Sequence, residues 1–456
     1  MRDIFFLSSV AVIVLLAGNK PYICVAFWMY VSLLDPNSSL FGIGAAVPYA
    51  KVAAGLTLVS FLLSRDKKKF QWDRSTALIL IFLVIAALSQ FSALSSASTG
   101  WDILDKLWKI VALNLCAIWC LRTRLQIHLL LLSICLAVGY NAVDEALKYL
   151  LSGGGHKVEG LPAWGDNNQV ALIVLLTMPI LAYIRDVSED RLVRLGALGG
   201  LILFAVCVIA TASRGGLAGL LLLAVVGAAN ARHKGRYLAA MMIAGIVMIQ
   251  SVPDSYSQRM NTIQSADKDG SFMGRVIAWK LSTLIALDHP LLGGGLHAVQ
   301  SQNVWDTYVP NFWKMSFIPT EQPDVSPHAA HSFYFEVLGD TGFLGLAVYL
   351  SIIASSFATG FQIKAAVRNR PDLQWAAGLA SALQRSLLVF MLTGAALSVG
   401  YHDLIFMIYS LFSLVRNAVA DADPPPSAST GALSQVVSWR ARRLDVGPVR
   451  RGYPPA

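Results

Sequence analysis

Charge is scarce in this sequence. Asp, Glu, Lys and Arg make up only 14% of the 456 residues, where a soluble domain carries about one quarter, and this excludes a soluble globular chain. Cysteine is also scarce and poorly placed for chemistry. Cys24, Cys116, Cys120, Cys135 and Cys207 all lie inside hydrophobic runs, so they read as small buried hydrophobes and not as disulfides or thiolate ligands. Ionisable residues thin out towards the middle of those runs and no internal repeat is visible, which argues against a pump, a channel or a flippase of lipid-linked sugars. The apolar stretch 4–18 is followed only by Gly18-Asn19-Lys20-Pro21. It lacks a small-residue cleavage site and reads as an uncleaved first span.

What the chain has in abundance is apolar sequence: 55% of residues are hydrophobic and the mean hydropathy is +0.58. The net charge of +9 falls mostly between hydrophobic runs, where it reads as a topology signal and not as a nucleic-acid surface. Basic segments at 65–74, 122–124, 185–194, 232–236 and 364–370 mark the cytoplasmic side. Threading the chain through them gives spans near 48–64, 76–93, 101–121, 126–150, 168–184, 195–212, 217–231, 237–252, 332–362, 385–401 and 404–416. If residues 4–34 form one span interrupted at Gly18 to Pro21, the count is about twelve with the N-terminus inside; two full spans there give about thirteen. The expected fold is an all-α polytopic inner-membrane protein with both termini cytoplasmic. Residues 1–252 supply about nine spans, 253–331 a large, partly helical periplasmic loop, 332–418 about three spans, and 419–456 a disordered, Pro- and Arg-rich cytoplasmic tail.

The polar residues that carry chemistry gather at the outer face. Arg214 sits in Ser213-Arg214-Gly215-Gly216 between two spans, where it either snorkels to headgroups or clamps an anion with its fork of donors. The spacing from Arg275 to Leu287 predicts a loop helix headed by Arg275, whose charge adds to the helix dipole. Arg259 and Lys280 in the same loop read as further donors or as solvated charges. His328 and His331 form His-Ala-Ala-His ahead of a span; the spacing is poor for zinc, and proton transfer or a structural role remain. Lys51, the set Asp102, Asp105 and Lys109, the pair Glu145 and Lys148, the element Asp166-Asn167-Asn168, and Tyr401-His402-Asp403 share that face. Together they suggest a polar cavity opening outward.

These pieces, in this order, resemble the O-antigen ligase and polymerase superfamily: Ser213 to Gly216, Gly274-Arg275 ahead of Trp279, His289-Pro290-Leu291-Leu292-Gly293-Gly294-Gly295, and His328 to Gly345. The opening Met-Arg-Asp-Ile-Phe and Asp166-Asn167-Asn168 also resemble its exosortase-associated O-glycosylation ligases. The resemblance implies a GT-C-type membrane glycosyltransferase that moves a glycan from undecaprenyl diphosphate to an acceptor hydroxyl without a metal or other cofactor. The implied acceptor is lipid A-core in lipopolysaccharide biosynthesis, another lipid-linked repeat in a polymerase, or a protein Ser or Thr. It further implies His331 as the catalytic base, with His328 orienting it or substituting for it, and Arg214 and Arg275 as diphosphate ligands. Arg259 and Lys51 are expected to assist them, with Asp166 and Tyr401 lining the cavity.

Overall fold

The structure, a computed structural model, describes residues 2–64, 69–96, 98–230, 270–315 and 326–422. The expected span 237–252, Arg259 and most of the C-terminal tail lie outside them. Residues 1–419 form one compact unit, almost entirely helical. Its first eleven helices are α1 (Arg2–Ala17), α2 (Pro21–Leu34), α3 (Pro36–Ser39), α4 (Gly42–Ala46), α5 (Tyr49–Leu63), α6 (Arg74–Phe91), α7 (Ser98–Cys120), α8 (Arg124–Leu151), α9 (Asn167–Val187), α10 (Arg191–Ala210) and α11 (Arg214–Asn230). The described helices that follow are α12 (Gly270–Asp288), α13 (Gln302–Tyr308), α14 (Phe333–Ala366), α15 (Gln374–Thr393) and α16 (Asp403–Ala420). Seven of the described helical segments are long and apolar enough to cross a membrane, and four shorter apolar helices accompany them.

Local chemistry sets the helix starts. Asp73 accepts from the Thr76 amide at 2.8 Å, Thr123 and Gln126 form a capping box on α8, and Asp190 accepts from the Leu192 and Val193 amides at 2.7 and 3.1 Å. Each cap supplies an acceptor to amides that have no partner within the helix.

Several expectations are corrected. The N-terminal stretch is not one interrupted span: Phe6, Leu7, Val10 and Ile13 of α1 pack on a cluster holding Phe27 and Val31, so the chain folds back at Gly18 (φ +36°). Span 101–121 exists as α7, but Asp102, Asp105, Lys106 and Lys109 in its first half keep it out of the seven apolar crossings. Span 385–401 is displaced, because the helix runs from Gln374 to Thr393 and the chain leaves it at Gly394. Arg385 therefore lies inside a span, contrary to the expectation that charge avoids span interiors.

Helix α14 breaks at Gly342 (φ +69°, ψ −172°), and the loop after α12 seals the break. The amides of Gly294 and Gly295 donate to the carbonyls of Gly339 and Asp340 at 2.8 and 3.1 Å, and Phe343 donates back to the Pro290 carbonyl at 2.8 Å. Ser89 of α6 donates a 2.5 Å bond to the Asp340 carbonyl. Glycine is required at 293: its φ is +65°, and a Cβ there would lie 2.6 Å from the Asp340 carbonyl. Leu281, Ile285, Val304, Trp305 and Phe312 build an apolar core beneath this loop.

Gly293→Ala is expected to destabilise the protein by about 2–4 kcal/mol, from left-handed strain plus a clash with rigid backbone. A melting temperature in detergent equal to wild type would refute the interlock.

Candidate functional site

The site is built where the starts of α9, α11 and α14 meet the loop between α15 and α16. A short hairpin, β1 (Gly160–Leu161) with β2 (Gly165–Asp166), leads into α9, and Asp166 caps that helix by accepting from the Gln169 amide at 2.9 Å. Trp164 donates to the Leu33 carbonyl at 2.7 Å, and Glu145 holds His156 at 2.7 Å. These two bonds pin the segment between α8 and α9 on α2 and α8.

Arg214 is the first residue of α11, just after the turn at Thr211 and Ala212. Ser213 ahead of it accepts from the Gly216 amide at 3.0 Å and donates to Asn168 Oδ1 at 2.7 Å, while Asn167 donates to the Thr211 carbonyl at 2.8 Å. The group that approaches Gly216 is α9 itself, since a Cβ there would lie 2.8 Å from that of Ala171. Arg214 is exposed.

His331 has φ +43°, a left-handed conformation that costs a non-glycine residue about 1–2 kcal/mol. Its amide donates to Ser398 Oγ at 2.9 Å, and Ser398 in turn accepts from Gln169 Nε2 through its carbonyl at 3.3 Å. A continuous set of bonds thus runs from the His331 backbone through Ser398 and Gln169 to the start of α9, and from Asn168 to the turn that presents Arg214. Trp279 of α12 donates to the Ala330 carbonyl at 2.6 Å and stacks on Phe335, holding the same strained segment from the other side.

Arg275 is the sixth residue of α12, because the helix begins at Gly270 and not at Arg275. Its side chain and not the helix terminus is therefore what it offers. Burial and the Arg275 charge push the His331 pKa below its ordinary value, against the opposing pull of Asp166 and Glu336 and with a further push from His328. His328 packs edge-on against Trp305 at 5.6 Å, with its ring 3.8 Å from the Cβ position of Gly274. The structure therefore gathers Arg275, His328, His331 and Asp166, and links Arg214 to them through bonded neighbours.

Other expected site residues fall elsewhere. Lys51 is exposed and lies in the field of Asp105, which pairs with Lys109 and accepts from Trp108 at 3.0 Å. Tyr401 lines no open cavity: it is 5% exposed and donates to Asp340 at 2.9 Å. Lys280 is not solvated, being 2% exposed with its Nζ 4.5 Å above the Phe312 ring. Sequence reasoning missed Ser398, Gln169 and the buried neighbours of Tyr401. Among the latter, Glu336 accepts from the Gly400 amide at 2.9 Å and faces His297 at 3.4 Å. Burial of His297 opposes its charge, but the bond to Glu336 and the field of Asp340 outweigh burial and raise its pKa. No cluster of three or more His, Cys, Asp or Glu suited to a metal occurs among the described residues.

The described chain is a helical bundle with seven segments apolar enough to cross a membrane, and it carries Arg214, Arg275, His328 and His331 towards one end. Residues 199–350 match the family model described as O-antigen ligase, and residues 1–188 match a family of unknown function (DUF5935). Over this third of the chain the protein is thus similar to the O-antigen ligase and polymerase superfamily. Comparison with the curated proteins gives no match.

Ser398→Ala is expected to speed hydrogen exchange at the His331 amide about fivefold, the equivalent of about 1 kcal/mol for one hydrogen bond, while Ser398→Thr keeps the wild-type rate. Exchange unaltered by Ser398→Ala would show that this bond does not hold the segment.

Proposed function

We propose that the protein is an O-antigen ligase. It acts as an inverting GT-C-type glycosyltransferase that moves a glycan from undecaprenyl diphosphate to a hydroxyl of lipid A-core at the periplasmic face of the inner membrane. The observation that carries this reading is that the start of α11 at Arg214 is tied to the His331 segment through Ser213, Asn168, Gln169 and Ser398, with Arg275 near enough for its charge to act on His331.

The chemistry follows from those groups. The acceptor oxygen attacks the anomeric carbon opposite the diphosphate, its proton passes to the neutral imidazole of His331, and the anomeric C–O bond breaks to release undecaprenyl diphosphate. Charge grows on the leaving diphosphate as that bond breaks, and the guanidinium forks of Arg214 and Arg275 are suited to stabilise it. The depressed pKa of His331 keeps the base unprotonated near neutral pH, as general-base catalysis requires. His328, packed against Trp305, serves to orient this segment.

Transfer of lipid-linked glycan to lipid A-core by the purified protein tests the reading. His331→Ala is expected to lower the rate about 10²–10⁴-fold, and Arg214→Ala about 10²–10³-fold; a folded His331→Ala protein working at the normal rate would exclude His331 as base. The rate is expected to rise with pH through a limb below about 6.5, the unperturbed imidazole value. Arg275→Gln removes a charge that disfavours imidazolium, so it moves this limb upward while slowing transfer at saturating donor. The linkage has the matching sign: the neutral ring's stabilisation is complete above the unfolded pKa and is lost as pH falls through the folded one. A product lengthened on undecaprenyl diphosphate would instead identify a polymerase, and a glycan found only on protein a protein O-oligosaccharyltransferase.

A further inference from the structure

A second set of charges sits at the far end of the helices that build the candidate site. Helix α9 starts at the site with Asn167 and ends at Val187, and two cavities around that end share Asp186. One, of about 570 Å³, is lined by Arg185, Asp186, Arg191, Arg194, Leu195 and Leu198. The other, of about 410 Å³, lies between α9 and α15, with Tyr183, Gln374, Ser381 and Arg385 in its wall.

The lining has an excess of positive charge. Asp186 is already paired with Arg185, at 3.0 and 2.7 Å, which leaves Arg191, Arg194 and Arg385. Arg385 lies about 16 Å into α15 at 1.5 Å per residue, within an apolar span. Among the described residues no carboxylate lies within salt-bridge distance of it. Asp186, in the wall of the same cavity, is taken by Arg185, and another cation, Lys364, lies nearby, its ammonium donating to Gln384 at 2.7 Å. A guanidinium at that depth is costly without a counter-ion.

An exposed apolar face of α10 adjoins the basic cavities. On α10 a Cβ at Gly196 or Gly199 would meet nothing within 4 Å, and Leu192, Leu195, Leu198 and Ile202 are exposed around them. Basic cavities beside an exposed apolar face suit a lipid with an anionic head better than a free anion.

We propose that this end of the bundle binds an anionic phospholipid with two phosphates, of the cardiolipin class, independently of the reaction at the other end. One phosphate is held by Arg385 between α9 and α15, the second by Arg191 and Arg194, and an acyl chain lies on the exposed apolar face of α10 at Gly196 and Gly199. Two adjoining cavities with one shared wall favour two linked phosphates over one, and basic pockets between membrane helices suit such headgroups.

Native mass spectrometry of the full chain in detergent tests this, with tetraoleoyl cardiolipin, dioleoyl phosphatidylglycerol and dioleoyl phosphatidylcholine as probes and inorganic pyrophosphate as soluble competitor. Cardiolipin is expected to half-saturate about tenfold or more below phosphatidylcholine, with phosphatidylglycerol between them. Arg191→Gln with Arg194→Gln, both exposed and so compatible with folding, is expected to raise cardiolipin half-saturation about tenfold. Arg385→Gln does the same, and Arg385→Lys recovers part of the affinity. Equal binding of cardiolipin and phosphatidylcholine, a double variant that binds like wild type, or displacement by equimolar pyrophosphate would each overturn the proposal. If Arg385→Gln does not fold, the exposed double variant decides.

Discussion

The interlock between the Gly293–Gly295 loop and the break in α14 is the constraint on which the rest of the site depends. A helix that breaks inside a packed bundle frees carbonyls, and a buried carbonyl without a donor costs about as much as a lost hydrogen bond. Here the donors come from Gly294, Gly295 and Ser89, and Phe343 returns one bond to Pro290. The break therefore persists only while the loop is seated. The seated loop fixes the end of α12, and hence where Arg275 projects, while the same turns of α14 fix the segment that begins at His331.

On the other side of His331, the constraint is polar and made largely of backbone atoms. Ser398 holds the His331 amide with its hydroxyl and accepts from Gln169 with its carbonyl, so one residue ties three elements. The left-handed backbone at His331 is strain that persists because both flanks are held: Ser398 on one side, Trp279 bonded to Ala330 on the other.

How much of this the sequence discloses depends on whether a residue acts through its own side chain at the end of a span. Arg214 at the start of α11 and His331 just before α14 are such residues, and Arg275 stands out within the loop helix: charge is rare in this chain, so a polar group between apolar runs is conspicuous. Helix positions are legible for the same reason, since basic segments punctuate the hydropathy. Ser398 and Gln169 are not legible, because a serine hydroxyl bonding a distant amide has no sequence period. Lys280 misleads because its charge reads as solvent-seeking, yet it packs over Phe312. Tyr401 misleads because its hydroxyl finds Asp340 on another helix, a pairing set by the kink at Gly342. The displaced span at 385 has a related cause: Arg385 reads as a boundary, whereas its helix continues eleven residues further towards Gln374.

The electrostatics of the proposed reaction follow from the same arrangement. Burial and then the Arg275 charge lower the proton affinity of His331, which favours the neutral ring that a general base needs. A diphosphate bound at Arg275 offsets that charge, and its own negative charge favours imidazolium, so donor binding raises the basicity of His331. Bond cleavage moves further negative charge onto the leaving group while the base takes its proton, and each change stabilises the other. In the proposed reaction this coupling requires the arginine and the histidine to stay near one another, and the loop–helix interlock and the Ser398 bond hold the segments that carry them.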